Sequence, residues 1–338
     1  MSVAATQPSV RTSAPFVPGR WLSNGHLMTV FAWARRRAFP SLPSPEARVF
    51  EVTSDSRVLA HCYWQPARAA RPTLLALHGL EGSSSVHYMQ GLAAGAWERG
   101  WNAVLLNQRN CGGTEHLSPG LYHSGLTDDP RAVIRELVRA DGLRRFGVAG
   151  YSLGGNLAIK LAGELELSPD LPIGAVAAVS PTIDLDVCVR AIERRVNVAY
   201  HWNFVRNLRA RMRRKSAHWP GAFDLSRLGS VWTIRRFDDV YTAPFHGFNG
   251  STDYYYKASA LRVVDRIRIP ALILAAADDP FVPASQFDAP ALRTNPNVVV
   301  RIEQHGGHCG FVADAVNEST RYWAETTVLD FLGSVIAE

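Results

Sequence analysis

From residue 73 onward, short runs of apolar residues alternate with stretches of helical length. The apolar runs contain few polar residues, which is typical of strands that are buried on both faces of a sheet. Their alternation with helices predicts a mostly parallel sheet that is covered by helices on both faces. Two earlier stretches alternate polar and apolar residues and predict an antiparallel pair. The strand candidates are 48–53, 58–64, 73–77, 103–106, 146–149, 175–179, 272–276 and 298–302.

The chain divides into an arm, a core and an insertion. Residues 1–45 are rich in Pro and Ser, and we expect an irregular N-terminal arm that wraps over the core through Phe16, Trp21, Phe31 and Trp33. Residues 181–244 interrupt the alternation, and we expect a helical cap there. The core then comprises residues 46–180 and 245–338. The helix candidates of the core are 86–99, 130–140, 153–165, 285–293 and 319–336.

The composition excludes several classes of protein. Hydrophobic residues make up 47% of the 338 residues and charged residues 20%, a balance that provides a core and excludes a disordered chain. We expect no membrane-spanning helix, because no apolar run is long enough. Residues 1–20 lack the apolar core of a secretory signal. The four cysteines are too few and too scattered for a disulfide framework, so we expect a cytoplasmic protein.

The most informative motif is G-Y-S-L-G at residues 150–154, which fits the pattern G-x-S-x-G. It follows an apolar strand candidate and opens a helix candidate, as a nucleophile elbow requires. Gly150 and Gly154 leave room for the close approach of strand and helix. We predict that Ser152 is a nucleophile. The alternative is an ordinary Ser-Gly turn at the start of a helix.

An acyl-transfer site also needs two fixed donors for the oxyanion. The backbone N–H of Leu153, which follows the nucleophile, is the first candidate. The second should come from the loop after an earlier strand. H-G-L-E-G at 78–82 directly follows such a strand, so we predict the backbone N–H of Leu80. We expect His78 to be a structural histidine that is bonded to the backbone.

A serine nucleophile needs a base, and the base needs an orienting acid. In this kind of sheet the chain order is Ser, acid, His. Asp278 and Asp279 follow the strand candidate 272–276, and we predict that Asp279 is the acid, with Asp278 as the alternative. After the last strand comes a loop with two histidines. We predict that His308 is the base, with His305 as the alternative.

These assignments describe catalysis without a metal or an organic cofactor. His308 takes the proton of Ser152 during attack on a carbonyl, and Asp279 orients the imidazole. A metal site built from His305, His308 and Cys309 is disfavoured, because no second cluster has a matching ligand spacing.

The segment 190–215 holds nine basic residues and one acidic residue. A solvated, salt-bridged cap face is the interpretation that we favour. The alternative is a surface for transient contact with an anionic membrane. Nucleic acid is not an expected partner, since no recognition motif accompanies the charge. The residues considered are Arg206, Arg209, Arg211, Arg213, Arg214 and Lys215, with Trp202, Phe204 and Trp219 nearby.

Together, these motifs resemble the α/β-hydrolase superfamily and, within it, the YheT-like branch. The resemblance implies a serine carboxylesterase-like hydrolase with Ser152, Asp279 and His308 as its triad. It also implies activity on short-chain esters, acylglycerols or phospholipids. The chain departs from the branch at Asn110, where Gly is usual, and at Met28, where Gln is common. The resemblance spans about residues 20 to 330 and rests on segments 21–29, 78–84, 107–113, 122–125, 150–156, 253–255 and 305–311.

The sequence therefore predicts an α/β-hydrolase fold with an eight-stranded sheet and a helical cap. Its predicted function is hydrolysis of a small-molecule ester of short or medium acyl chain, with monoacylglycerol as one candidate. An acyltransferase that uses the same acyl-enzyme is one alternative, and a non-catalytic scaffold is another. The aromatic residues in 245–256 either line an acyl pocket or only pack.

Overall fold

The eight strands form a single sheet in a computed structural model that describes residues 15–315 and 321–337. The spatial order is β1-β2-β4-β3-β5-β6-β7-β8. β1 and β2 are antiparallel to their neighbours, and all later pairs are parallel. The predicted eight-stranded, mostly parallel sheet is therefore confirmed. The strands are β1 Glu46–Thr53, β2 Ser56–Tyr63, β3 Thr73–Leu77, β4 Asn102–Leu106, β5 Phe146–Tyr151, β6 Ile173–Val179, β7 Ala271–Ala276 and β8 Val298–Glu303.

Helices cover both faces of this sheet. Side chains of α3 and α4 pack in one apolar layer, and side chains of α2 and α8 pack in the other. This arrangement explains why β3, β4, β5 and β7 are buried along their whole length. The helices of eight or more residues are α1 Gly25–Ala34, α2 His87–Glu98, α3 Asp128–Asp141, α4 Leu153–Gly163, α5 Leu185–Ile192, α6 Val198–His218, α7 Ser251–Ala258 and α8 Trp323–Ile336.

The strand register places the loops of the site at one edge of the sheet. Leu77, the last residue of β3, lies beside Leu106 of β4 and Gly150 of β5. The last residue of β5, Tyr151, lies beside Val179 of β6. Because these strands are parallel, the loops that follow them emerge together at their carboxyl ends.

The segment before β1 differs from the expected irregular arm, since it contains α1. Asn24 caps this helix by accepting a hydrogen bond from the N–H of Leu27 over 3.0 Å. Phe16 is buried against Phe311 and Trp323, as expected. The prediction that Trp21 and Trp33 cover the core is wrong, because they are 82% and 75% exposed. In α1 the core-facing side chains are Met28 and Ala32, which leaves the opposite face to solvent.

Helices fill the chain between β6 and β7. They are α5, α6, α7 and the shorter turns Arg195–Asn197, Leu225–Ser230, Ile234–Phe237, Asp238–Thr242, Ala243–Phe245, Ala260–Arg262 and Val264–Arg266. We refer to residues 180–270 as the insertion. The division of core from cap at 181 and 244 stays a prediction.

Two predicted helices differ from the structure. The candidate at 285–293 is two short turns, Ala284–Asp288 and Pro290–Thr294, because the proline disfavours helical backbone at the residue before it. The candidate at 319–336 begins outside the described residues, and α8 itself starts at Trp323. Among the described residues, none of the helices combines the length and the apolar character needed to cross a membrane.

Candidate active site

Ser152 sits on a sharp turn between β5 and α4. Its backbone is in a strained conformation, with φ 53° and ψ −117°, and it precedes the first residue of α4. A Cβ on Gly150 would overlap the backbone of Gly154, and one on Gly154 would overlap the carbonyl group of Leu77. Both glycines are therefore required for the strand and the helix to approach this closely. This strained turn places the hydroxyl of Ser152 at the carboxyl edge of the sheet.

The structure brings Ser152 together with His308 and Asp279. The Oγ of Ser152 lies 3.0 Å from Nε2 of His308, and Nδ1 of His308 lies 2.9 Å from Oδ2 of Asp279. With the proton on Nδ1, the imidazole donates to the carboxylate and accepts from the serine hydroxyl. This geometry is the one that a serine nucleophile, a base and an orienting acid require.

The carboxylate of Asp279 is held in place by the backbone. Its Oδ1 accepts hydrogen bonds from the N–H groups of Phe281 and Val282, over 2.8 Å and 3.0 Å. Only 1% of its side chain is exposed. Burial lowers the pKa of His308, but the Asp279 carboxylate opposes this effect, and the net result is a pKa well above the usual value. The imidazolium form is thus stabilised within the site.

The two alternative residues pair with each other instead. Nδ1 of His305 lies 3.3 Å from Oδ2 of Asp278, and the other carboxylate oxygen accepts from the N–H of Gly307 over 2.9 Å. The backbone N–H of His308 donates to Oγ1 of Thr29 over 2.8 Å. Asp278 and Thr29 therefore fix the backbone around His308. The contribution of Thr29 was missed, because its segment was expected to be irregular.

Leu80 and Leu153 line the same cavity as Ser152. Leu153 is the first residue of α4. The residue after Leu80, Glu81, has φ 60°, and its N–H donates to the hydroxyl of Tyr122 over 3.2 Å. The loop is therefore fixed in a turn beside the nucleophile. That the N–H groups of Leu80 and Leu153 form an oxyanion hole stays a prediction.

His78 is part of the support of this loop. Its Nε2 accepts a hydrogen bond from the N–H of Gln108 over 3.1 Å, and Nδ1 donates to the carbonyl oxygen of Gly79 over 2.8 Å. Burial lowers the pKa of His78 to about 4. The ring is neutral at physiological pH, and the prediction of a structural histidine is confirmed.

An apolar cavity opens beside Ser152 and His308. It encloses about 920 Å³ of empty space, including its open mouth. Tyr254 and Tyr255 line it, whereas Phe245 and Phe248 are not among its lining residues. Most of the wall comes from the insertion. Besides Leu80 and Leu153, the aliphatic and phenylalanine side chains that line it are Leu121, Leu185, Val189, Ile192, Phe204, Leu208, Ile234, Phe237 and Phe281.

The prediction that the basic residues of segment 190–215 face solvent is wrong for Arg211 and Lys215, because both side chains are buried. Arg211 forms an ion pair with Glu81 and lines the cavity. Burial lowers the pKa of Arg211 to about 9. Val205, Leu208 and Met212 recur at the spacing of one helix face and mark the inner side of α6. Arg211 and Lys215 share this face, but as charged residues they give no hydrophobic signal.

Asn110, where the resemblance expects Gly, has a backbone conformation that glycine adopts freely. Its φ is 65°, a value that asparagine tolerates better than most residues. Its amide donates to the carbonyl oxygen of Gly120 over 2.7 Å. The side chain of Asn110 therefore ties this turn to the segment around Gly120. At Met28, the other departure, the side chain is fully buried.

No group of three or more His, Cys, Asp or Glu side chains within residues 15–315 and 321–337 is arranged to hold a metal ion. Cys309 lies next to His308, and its N–H donates to Oγ of Ser180 over 3.2 Å.

Comparison with known proteins identifies the family. Residues 72–315 match the profile of the α/β hydrolase fold family, and the chain belongs to this family. Within it the chain is YheT-like. It is 36% identical to the candidate esterase YheT of Escherichia coli, over 95% of this chain and 94% of that protein. It is also 30% identical to the candidate esterase slr0264 of Synechocystis, over 94% of both chains.

A more distant relative and a solved structure are also similar to this chain. The chain is 29% identical to phospholipase ABHD3 of Mus musculus, over 72% of this chain and 59% of that protein. The structure of the Pyrococcus furiosus esterase Pf2001 matches with a TM-score of 0.58 at 16% identity, over 89% of this chain and 97% of that one. At this identity the structural match shows the fold alone.

Proposed function

We propose that this chain is a serine hydrolase that cleaves carboxylic esters through an acyl-enzyme on Ser152. The observation that carries the proposal is the continuous chain of contacts from Ser152 through His308 to Asp279, at 3.0 Å and 2.9 Å. The names of relatives add support, since they include a phospholipase and the monoacylglycerol lipase of Saccharomyces cerevisiae, which is 28% identical over 78% of this chain.

Acylation begins when an ester carbonyl reaches Ser152. His308 accepts the serine proton as Oγ attacks, and Asp279 stabilises the imidazolium that forms. The N–H groups of Leu80 and Leu153 donate to the oxyanion. His308 then protonates the alcohol, which leaves as the bond to the acyl carbon breaks.

Deacylation repeats these steps with water as the nucleophile. His308 takes a proton from water, the hydroxide oxygen attacks the acyl carbon, and the proton then returns to Ser152 as the acid leaves. The reaction uses the residues of this chain and consumes one water for each ester. It requires no cofactor.

The cavity favours an apolar acyl group. Leu185, Val189, Phe204 and Leu208 line it, so an acyl chain that binds there removes apolar surface from water. We propose short- or medium-chain esters as the substrate class, and monoacylglycerol is one candidate. A cytoplasmic location belongs to the same proposal and is supported by the four free cysteines.

The test is hydrolysis of p-nitrophenyl esters from acetate to palmitate by the native protein and its variants. We expect Ser152→Ala and His308→Ala to lose activity and His305→Ala to keep it. The three variants should unfold at similar denaturant concentrations. Activity in Ser152→Ala equal to that of the native protein would refute the proposal. Added methanol distinguishes transfer from hydrolysis, because an acyltransferase would yield mainly the methyl ester.

A further inference from the structure

Large exposed apolar side chains lie on two elements that pack close to the site. One group comes from α1 and the turn before it, and the other comes from the insertion near the start of α6. Large exposed apolar groups are unusual when they gather at one place on a monomer. We call these residues the rim surface; they are Trp21, Leu27, Val30 and Trp33 on the first side, and Val196, Val198, Trp202 and Trp232 on the second.

Direct contacts join the two sides of the rim surface. The rings of His26 in α1 and Tyr200 in α6 stack with centroids 5.8 Å apart. Leu27 follows His26 in the chain, and Val198 lies two residues before Tyr200. On the second side, the rings of Trp202 and Trp232 meet at 6.0 Å. α1 and the start of α6, which carry the two groups of exposed apolar side chains, therefore adjoin each other.

Aromatic contacts lead from this surface to the base. The ring of Tyr200 lies 4.7 Å from that of Phe281, which in turn lies 4.7 Å from the imidazole of His308. Phe204, one turn beyond Tyr200 in α6, lines the cavity. The helix α6, which carries part of the rim surface, therefore also contributes to the wall of the cavity beside His308.

Positive charge accompanies the rim surface. Arg194 and Arg195 directly precede Val196 in the chain, Arg206 lies one helical turn after Trp202 in α6, and all three are exposed. The guanidinium of Arg209 lies 5.2 Å above the ring of Trp232. Tryptophan and arginine side by side on an apolar surface are typical of segments that rest at the level of lipid headgroups. Arginine is also attracted by anionic lipids.

We propose that the rim surface docks on a lipid bilayer that contains anionic headgroups, and that an ester passes from the bilayer directly into the cavity. This inference rests on the proposed ester hydrolysis. The rim surface shares Trp202, Arg206 and Arg209 with the basic segment that the charge pattern indicated, but it adds α1 and Trp232. It leaves out Arg211 and Lys215, which are buried. When the protein docks with its cavity mouth on the bilayer, an acyl chain can enter the cavity without being exposed to water.

Sedimentation with vesicles tests the docking directly. The probe is a vesicle of phosphatidylcholine with a minority of phosphatidylglycerol, compared with phosphatidylcholine alone. We expect binding to the mixed vesicles that weakens as salt rises. The double variant Trp202→Ala/Trp232→Ala should bind about tenfold more weakly, and each of Arg194→Gln and Arg195→Gln about fivefold more weakly.

Leu167→Ala is the matched control. Leu167 is 75% exposed, but it follows the C-terminal end of α4 and so lies at the sheet edge opposite Ser152. The control should bind like the native protein. All variants should hydrolyse soluble p-nitrophenyl acetate at the native rate, which separates docking from the chemistry.

Three results would overturn the docking proposal even if the esterase reaction is present. The first is native protein that does not sediment with the mixed vesicles. The second is a loss of vesicle binding that is equal in Leu167→Ala and Trp202→Ala/Trp232→Ala. The third is a native protein that binds no vesicles but forms a dimer, which is lost in Trp202→Ala/Trp232→Ala. The last result would assign the rim surface to a second copy of this chain. If the protein binds vesicles but does not hydrolyse esters, only the proposed function is refuted.

Discussion

Nζ of Lys215 lies 2.6 Å from Oδ1 of Asn110, and both side chains are buried. Lys215 also donates to the carbonyl oxygen of Ser118. These bonds attach α6 of the insertion to the loop after β4. Because the ammonium group is buried, the pKa of Lys215 falls to about 7.

This shift predicts a pH-dependent stability. Between pH 7 and the usual lysine pKa of 10.5, the unfolded chain binds more protons at this residue than the folded chain does. In this window the free energy of unfolding of the native protein should therefore rise with pH when it is compared with that of Lys215→Met. From pH 7 to 9.5 the native protein should gain roughly 3 kcal/mol of unfolding free energy relative to Lys215→Met. Urea unfolding at both pH values measures it, and parallel changes in the two proteins would contradict the shift.

The buried pair of Arg211 and Glu81 predicts a second effect. Arg211→Met leaves the Glu81 carboxylate without its partner beside Leu80, so the variant should lose about 3 to 5 kcal/mol of stability. It should also lower kcat more than it raises KM, because the loop that carries Leu80 is displaced. Glu81→Gln combined with Arg211→Met should lose less than the sum of the single changes. Unfolding and ester kinetics of the four proteins measure this, and additive losses would show that the residues act independently.

The choice between Asp279 and Asp278 can be tested by paired substitutions. Asp279→Asn should lower kcat by about 10³-fold or more, because the amide cannot hold the imidazole in the required tautomer. Asp278→Asn should reduce kcat far less, since its partners are His305 and the N–H of Gly307. Ester hydrolysis rates compare the two variants. A larger loss in Asp278→Asn would reverse the assignment.

The raised pKa of His308 predicts the acid limb of the activity profile. The base must be neutral to accept the proton of Ser152, so kcat/KM should fall as pH drops through the pKa of His308. This midpoint should lie above 6.5, the usual value. Asp279→Asn should move it down, because among the groups that raise the pKa of His308 the Asp279 carboxylate has the largest effect. A midpoint below 6.5 in the native protein would contradict the electrostatic account.

The parallel core could be predicted from local pattern, whereas several contacts of the site could not. The core strands carry uninterrupted apolar runs, so their positions are visible in the sequence. The helix α1 was missed because its segment is rich in Pro and Ser around a short helical stretch. Its place is set by distant contacts, such as that of Thr29 with the N–H of His308.

The inner face of α6 shows the same limit. Arginine and lysine usually face solvent, so Arg211 and Lys215 were assigned to an outer surface. Their partners Glu81 and Asn110 lie more than 100 residues earlier in the chain, and only the folded insertion brings them together. Asp278 and Asp279 present a similar case, because their order alone does not show which carboxylate turns toward His308.

The central claim is that Ser152 is a nucleophile activated by His308. A fluorophosphonate probe tests this most directly, because the serine oxygen attacks phosphorus and fluoride leaves, which marks the reacting residue covalently. We predict that mass spectrometry will detect a single adduct, on the peptide that contains Ser152. Labelling should be much slower in His308→Ala and absent in Ser152→Ala. Labelling of another residue, or equal labelling in Ser152→Ala, would contradict the account.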